Sequence, residues 1–314
     1  MKTILPENGN PEPQPSVITE LHFSSKDEFR QSCCAAFQDL VHLLSSYAIS
    51  ADQNIIESTH QIRKKLKFFR AFTKLLKPGA CSVESKRVNS FLRNHGKVFS
   101  DLRDSHVRSL LLTGEFHPHL KPQSESLSEY LEKMTRSESE ILEEKLLSDR
   151  QFRNFSASIS SEPFLKPYFC QIDEDGHFLT ESYLKSYETS GTAFEQSRQS
   201  NIPEELHEWR KRLKDVQYQL ELIQSRLTED SLRFYEQVSS LCTVLGDIND
   251  LSMLIDWLDK QDPSKLPEED HGIYLNRIRR QSDLLVAAAF DQGKDLYSLP
   301  VSEFERIITA AVAQ

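Results

Sequence analysis

The stretch HQIRKKLK at 60–67 decides the fold once it is compared with HEWRKRLK at 207–214. His, Arg, Lys, Leu and Lys coincide in the two segments, which lie about 147 positions apart in a chain of 314 residues. Downstream, DLRD at 101–104 is echoed by DIND at 247–250. Because the likeness covers two segments in each half, the sequence predicts an internal duplication.

Both segments have the period of an amphipathic α-helix, at 100° per residue. In the first copy the polar positions that share one side are His60, Arg63, Lys64, Lys67 and Lys74. The opposite side carries Ile62, Leu66, Phe69 and Leu76. In the second copy the polar side has His207, Arg210, Lys211, Lys214 and Tyr218, and the apolar side has Trp209, Leu213, Val216, Leu220 and Ile223. We expect each helix to have one face in the core and one basic face.

The composition predicts helices throughout the chain. Only nine glycines occur, and hydrophobic residues make up 38% and charged residues 27% of the sequence. These values are typical of a soluble, all-α protein. Apolar spacing predicts a first helix from about Ser24, followed by helices at 53–76, 84–112, 125–147, 179–199, 204–226, 230–258, 268–289 and 301–313.

The chain is expected to form one domain of two similar halves. The N-terminus is rich in proline and polar residues, which predicts a flexible leader over residues 1–23. The helical period weakens between 155 and 176, where an acidic DEDG turn occupies 173–176. We therefore place the domain at 24–312, with a first half at 24–160 and a second half at 161–312.

Charge is distributed unevenly along the chain. The formal net charge is −10, which argues against a protein that coats nucleic acid through its overall field. The segment 60–108 nevertheless holds 13 Lys and Arg against 3 Asp and Glu. Any site for an anion must therefore be local.

The basic faces themselves favour a phosphate-rich ligand. Like charges at helical spacing repel each other, and we expect no acidic residue on either face to relieve this. Arg offers paired donors to phosphate oxygens, Lys offers a mobile charge, and His offers a donor that an anion would help to protonate. An inorganic polyphosphate chain would interact favourably with all three residue types.

Cysteine usage and hydropathy predict a cytoplasmic protein. The five cysteines are odd in number and show no metal-binding spacing, so we expect reduced thiols and no zinc site. We find neither a signal peptide nor an apolar run of 18 residues, so no membrane association is expected.

At these residues the chain resembles the CHAD family, the conserved histidine α-helical domain, whose halves each carry a helix of the form His-x-x-Arg-[Lys/Arg]-x-x-[Lys/Arg]. Both copies of that motif are present here. The stretches 92–104 and 245–251 resemble the helix that follows the motif in each half of the family. The resemblance covers residues 25 to 312.

The resemblance implies two helical bundles related by a pseudo-twofold axis, around a central basic cavity that binds inorganic polyphosphate. The residues expected to bind it are His60, Arg63, Lys64, Lys67, Lys74, Arg93, Lys97, His207, Arg210, Lys211 and Lys214. We expect no metal and no cofactor, and we expect polyphosphate, including its granules, to be the partner. No catalytic motif is visible, so a binding module is favoured over an enzyme.

Two alternatives remain open at this point. Asp101, Asp104, Asp247 and Asp250 could hold a divalent ion in a metal-dependent enzyme acting on polyphosphate or a nucleotide, although carboxylates at this spacing more often pair with arginines of a neighbouring helix. Alternatively, the basic segment 60–108 could make the protein a helical scaffold for nucleic acid or another protein.

Overall fold

A computed structural model describes residues 18–23, 25–172, 178–200, 202–262, 266 and 268–312. Every regular element within these residues is helical, which confirms the all-α prediction. The helices are α1 Lys26–Ile49, α2 Ile55–Leu75, α3 Ser82–Val98, α4 Ser100–Thr113, α5 Glu125–Ser148, α6 Gln151–Ser161, α7 Leu165–Cys170, α8 Phe178–Ser200, α9 Pro203–Glu221, α10 Glu229–Leu258, α11 Glu268–Tyr297 and α12 Val301–Val312. Short 3-10 turns follow several of them, including one at Lys77–Gly79.

The helix predicted at 84–112 is in fact two helices, α3 and α4. They meet at Phe99, which leaves helical geometry at φ −98° and ψ 9°. Its ring is completely buried against Phe152 and Phe155 of α6, at centroid distances of 5.0 and 5.5 Å. Aromatic packing therefore ends α3 at a point where the apolar period of the sequence continues.

The segment predicted as a break, 155–176, is helical over most of its described length. It contains the end of α6 and all of α7. Phe169 of α7 is buried, stacks on Phe37 of α1 and makes tilted ring contacts with Phe69 and Phe72 of α2. This correction arises because α7 is too short to show a helical period. The acidic turn at 173–176 lies outside the described residues.

The last residues of the predicted flexible leader, 18–23, are ordered against the helices. Residues 1–17 lie outside the described part of the chain, whereas Leu21 is fully buried and donates its amide hydrogen bond to the carbonyl of Leu222 at 3.0 Å. The amide and hydroxyl of Thr19 both donate to Asp39, at 2.8 and 2.6 Å. Residues 18–23 thus pack against the helical domain.

The two predicted halves contribute to common cores. The larger apolar cluster runs from Leu21 to Ala311 in sequence and combines α1, α2 and α6 with α8, α9, α10 and α12. A smaller cluster joins α4 and α5 to α10 and α11. The halves therefore bury their apolar surface together, while their origin by duplication stays a prediction.

The two motif helices, α2 and α9, pack against each other. Phe68 and Tyr218 form an edge-to-face ring pair at 5.7 Å, and the Gln219 amide donates to the carbonyl of Ala71 at 3.3 Å. The expected core residues of both helices are at most 2% exposed. Tyr218 is also buried, so its assignment to the polar side was wrong.

The structure corrects the expectation that all cysteines are reduced. Cys34 of α1 and Cys170 of α7 form a disulfide across 136 positions of sequence. Their proximity depends on how α7 packs, which spacing along the chain does not reveal. Cys33 and Cys242 are buried thiols, and Cys81 is exposed.

One helix, α10, is long and apolar enough by length and composition to cross a membrane. Its buried residues contribute to both apolar clusters, from Phe234 in the first to Leu258 in the second. It also carries charged residues along its length, among them Asp247 and Asp250. Packing within the protein therefore accounts for its apolar content.

Candidate anion-binding site

A small pocket of about 160 Å³ lies between α2 and α3, and we call it the α2–α3 pocket. Its lining residues are Arg63, Leu66, Lys67, Arg70, Leu92, Arg93, Gly96, Lys97 and Ser100. Five of the nine are cations and none is a carboxylate. Four of the five cations, all except Arg70, belong to the set expected from the sequence.

Arg63 is fixed in place by the last turn of α3 and by the first turns of α4. Its Nη1 donates to the carbonyl of Gly96 at 3.0 Å and to the hydroxyl of Ser100. Its Nη2 lies 3.9 Å from the carboxylate of Asp104. Burial and the nearby Arg210 lower the pKa of Arg63, and Asp104 opposes this shift. Arg63 therefore holds the helices together as well as lining the pocket.

Lys67 is the most strongly perturbed cation of the pocket. Its side chain lines the pocket and is exposed to solvent, while protein atoms nearby partly desolvate the amine. Desolvation, followed by repulsion from Arg210 and Arg63, lowers the pKa of Lys67 to about 7. A bound anion would favour its protonated form.

Arg93 and Lys97 supply the mobile charge of the pocket. They are exposed, one turn apart on α3, and face the basic side of α2. No described carboxylate lies within ion-pair distance of either side chain. These cations are available to an external ligand.

Arg70 was missed by the sequence analysis. It lines the pocket, and its Nε donates to the Asn89 side chain of α3 at 2.9 Å. Arg70 follows Arg63 by seven residues and Lys67 by three, and this helical spacing predicts that it shares their face of α2.

Lys211 and Lys214 of α9 have side-chain partners that the matching lysines of α2, Lys64 and Lys67, lack among the described residues. Glu208 pairs with Lys211 at 3.2 Å and with Arg212 at 2.5 Å. Lys214 donates to Gln217 at 2.8 Å and lies over the ring of Tyr218. The expectation that no acidic residue relieves the basic faces was therefore wrong for α9.

The family model described as "CHAD domain" matches residues 35–259 of the chain. The chain belongs to the CHAD family. The crystal structure of the CHAD domain from the plant Ricinus communis is similar to this fold, with a TM-score of 0.64 over 90% of this chain and 94% of that one, at 16% sequence identity. No curated protein matches the chain.

Neither motif histidine of this CHAD domain lines the α2–α3 pocket. Burial, and then Arg103, lower the pKa of His60 to about 4. His207 shares a 2.7 Å hydrogen bond with Asn249 of α10 and lines a groove of about 1150 Å³ between α9, α10 and α11. Both histidines nevertheless lie near this pocket, because the charge of Lys67 adds to desolvation in lowering the pKa of each.

Five expected cations of the CHAD domain also lie outside this pocket, and one of them is Lys214, whose contacts with Gln217 and Tyr218 are given above. Lys64 is exposed on α2, and Lys211 lines the same groove as His207. Lys74 forms an ion pair with Asp215 of α9. Arg210 is half-buried, and its charge lowers the pKa of Lys67 and Arg63.

The paired aspartates of the CHAD domain face cations. Asp104 lies beside Arg63, and the carboxylate of Asp247 lies 3.7 Å from Nε2 of His117, which stands between α4 and the 3-10 turn at Pro118–Leu120. Burial raises the pKa of Asp250, and hydrogen bonding to Asn249 and the charges of Arg210 and Arg103 oppose that shift. Among the described residues, no group of three or more His, Cys, Asp or Glu side chains is arranged to hold a metal ion.

Proposed function

We propose that this CHAD domain binds inorganic polyphosphate and that the α2–α3 pocket supplies the central contacts. The observation that carries the proposal is the convergence of five cations without a lining carboxylate, in a chain whose net charge is −10. Such a local reversal of charge favours a dense polyanion, since charged groups of one sign concentrate oppositely charged ligands.

The chemistry of the pocket suits phosphate groups. Arg70 and Arg93 can donate paired hydrogen bonds to phosphate oxygens, and Lys97 adds a charge that can follow the ligand. None of the nine described lining residues is aromatic, so they offer bases no stacking surface of the kind that single-stranded nucleic acids use. The resemblance to the family points to the same ligand.

We also propose that the domain binds polyphosphate without cleaving it, in the cytoplasm or on polyphosphate granules. The carboxylate of Asp104, which a metal-dependent enzyme would need, already faces Arg63. Phosphate release from polyphosphate in the presence of Mg²⁺ or Mn²⁺, abolished by Asp104→Asn, would contradict the non-catalytic part of this proposal.

The test replaces Arg93 and Lys97, the two exposed cations of α3 that line the pocket, by acids. The Arg93→Glu/Lys97→Glu variant is expected to bind long-chain polyphosphate about 100-fold more weakly at low salt, because it reverses two charges at the binding surface. The matched control is Lys133→Glu/Arg136→Glu on α5, which makes the same charge change at exposed positions that line none of these pockets.

Binding is measured by calorimetry at several salt concentrations, and folding by circular dichroism. Equal loss in the pocket variant and the control would reduce the effect to net charge and overturn the assignment. Equally tight binding of RNA, lost in the same variant, would favour the nucleic-acid alternative.

A further inference from the structure

A second basic pocket lies at the C-terminal end of α2, and we call it the α8 pocket. It has a volume of about 530 Å³ and is enclosed by α2, α3, α8, α9 and the turn after α2. Its cations are Lys74, Lys77, Lys86, Lys185 and Arg212, and its carboxylates are Glu181 and Asp215. Cations from five elements therefore converge on it.

Three of these cations have no intramolecular counterion among the described residues. The Asp215 carboxylate is committed to Lys74, and this pair is largely shielded, with side-chain exposures of 15% and 32%. No described carboxylate lies within ion-pair distance of Lys77, Lys86 or Lys185, which are all exposed. The pocket thus has positive charge that the protein itself leaves uncompensated.

A buried hydroxyl in the same pocket also lacks a partner. Ser182 of α8 lines the pocket and is only 5% exposed, and its Oγ has no hydrogen-bond partner within the described part of the chain. A buried hydroxyl without a partner is unfavourable by about 1–3 kcal/mol. Because this Oγ is shielded from solvent, a phosphate oxygen in the pocket would accept its hydrogen bond only after the side chain rotates towards the pocket.

A row of cations connects the two pockets along α2. The row consists of Arg63, Lys67, Arg70 and Lys74, with Lys77 in the turn that follows. Spacings of three and four residues keep the row on one side of α2, and it covers about 16 Å of helix axis from the first residue to the fourth. Arg70 lines the α2–α3 pocket and donates to Asn89, which lines the α8 pocket.

We propose that the α8 pocket is a second phosphate subsite, which takes the part of a polyphosphate chain that extends past Arg70. The inference rests on the proposed function of the α2–α3 pocket. Because the second subsite adds contacts only for a ligand long enough to reach it, the two pockets together select long chains over short ones.

The test measures how one double substitution of exposed residues changes the binding of two ligands. Lys86→Glu/Lys185→Glu is expected to weaken binding of long-chain polyphosphate by about 10- to 100-fold, because charge is reversed on both sides of the pocket. Binding of tripolyphosphate, which occupies the α2–α3 pocket alone, should change less than about threefold. The control Lys133→Glu/Arg136→Glu should alter neither ligand by more than this smaller factor.

A finer probe keeps the charge constant. Ser182→Ala removes the unpartnered hydroxyl and is expected to weaken long-chain binding by about 3- to 10-fold without affecting tripolyphosphate. The folded state is checked by thermal melting, where this substitution should cause no loss of stability.

The outcomes separate the two proposals. If Lys86→Glu/Lys185→Glu leaves long-chain binding intact while Arg93→Glu/Lys97→Glu abolishes it, the second subsite is refuted and the proposed function stands. If tripolyphosphate loses as much affinity as the long chain, the α8 pocket is not a selective extension. If the wild-type protein binds neither ligand, both proposals fail.

Discussion

Helices α2 and α9 carry the same motif, yet their cations lie in different electrostatic surroundings. Lys67 of α2 lines a pocket without carboxylates, whereas Lys214, at the same motif position in α9, donates to Gln217 and lies over Tyr218. Lys64 has no described carboxylate at ion-pair distance, whereas its counterpart Lys211 pairs with Glu208.

The difference shows that equal motifs do not provide equal binding surfaces. A cation that already has a partner gains less from an external anion, because the old interaction must be given up first. We therefore expect α2 and α3 to bind the ligand and α9 chiefly to position them. The following predictions test this asymmetry.

The largest effect is expected for stability at Arg63. Arg63→Ala leaves the Gly96 carbonyl and the Asp104 carboxylate without their partner, and we expect a loss of about 2–4 kcal/mol in the free energy of unfolding. The control Lys64→Ala, on the exposed side, should change it by less than about 0.5 kcal/mol. Urea denaturation gives both values, and equal effects would contradict an anchoring role for Arg63.

A matched pair of substitutions tests ligand binding directly. At pH 6, Lys67→Gln should weaken polyphosphate binding about tenfold and reduce the slope of log affinity against log salt by about one. Lys214→Gln should weaken it less than about twofold, because Lys214 is engaged with Gln217 and Tyr218. If calorimetry shows equal losses, the two motif helices contribute equally and the asymmetry is refuted.

Gly293 of α11 packs closely against the buried rings of Phe194 in α8 and Trp209 in α9. A Cβ atom at Gly293 would lie 2.6 Å from the ring of Phe194 and 2.9 Å from that of Trp209. Gly293→Ala should therefore lower the free energy of unfolding by about 1–3 kcal/mol. A Cβ atom at Gly272 in the same helix would have no neighbour within 4 Å among the described residues, so Gly272→Ala should raise the free energy of unfolding by about 0.5–1 kcal/mol. A stabilised Gly293→Ala protein would contradict this packing.

The smallest expected effects concern the pH dependence of ligand affinity and of stability. Desolvation and Arg210 lower the pKa of Lys67 to about 7, so Lys67 loses its charge as pH rises through 7. Bound polyanion favours the protonated amine, and affinity should fall about 3- to 10-fold between pH 6 and pH 8. Lys67→Arg stays charged across this range and should remove the protein's share of the pH dependence. An unchanged profile in Lys67→Arg would assign the titration to the ligand.

The same pKa has a consequence for stability that can be measured without ligand. The folded state disfavours the charged amine of Lys67, so the wild-type protein should gain stability as pH rises from 7 towards the ordinary lysine pKa. Lys67→Met should raise Tm by about 1–3 °C at pH 6, a modest gain because solvent reaches the side chain and screens the charge. The gain should disappear above about pH 10.

Helical periodicity accounts for what the sequence predicts well. Ile62, Leu66, Trp209 and Leu213 recur at helical spacing, and all are buried as expected. The pairing of Glu208 with Lys211 and Arg212 was also readable, since these residues lie three and four positions apart. Glu208 lies beside the angular range that defines the basic face, so a count of residues within that range leaves this ion pair out.

Contacts between distant elements account for what the sequence does not predict. Asp215 reaches Lys74 on another helix, and Asn89 reaches Arg70. Phe99 ends α3 because α6, more than 50 positions later, packs against its ring. No local pattern encodes these neighbours, and they determine which cations remain available to a ligand.

The disulfide between Cys34 and Cys170 makes the N-terminal part of the domain a covalently closed ring that contains α2 to α6 and so the entire α2–α3 pocket. The disulfide closes a loop of 136 positions and so restricts the unfolded chain. By loop entropy this raises the free energy of unfolding by about 5 kcal/mol. Oxidation would therefore raise the resistance to unfolding of the ring that carries the pocket, and reduction would open the ring without removing any pocket cation.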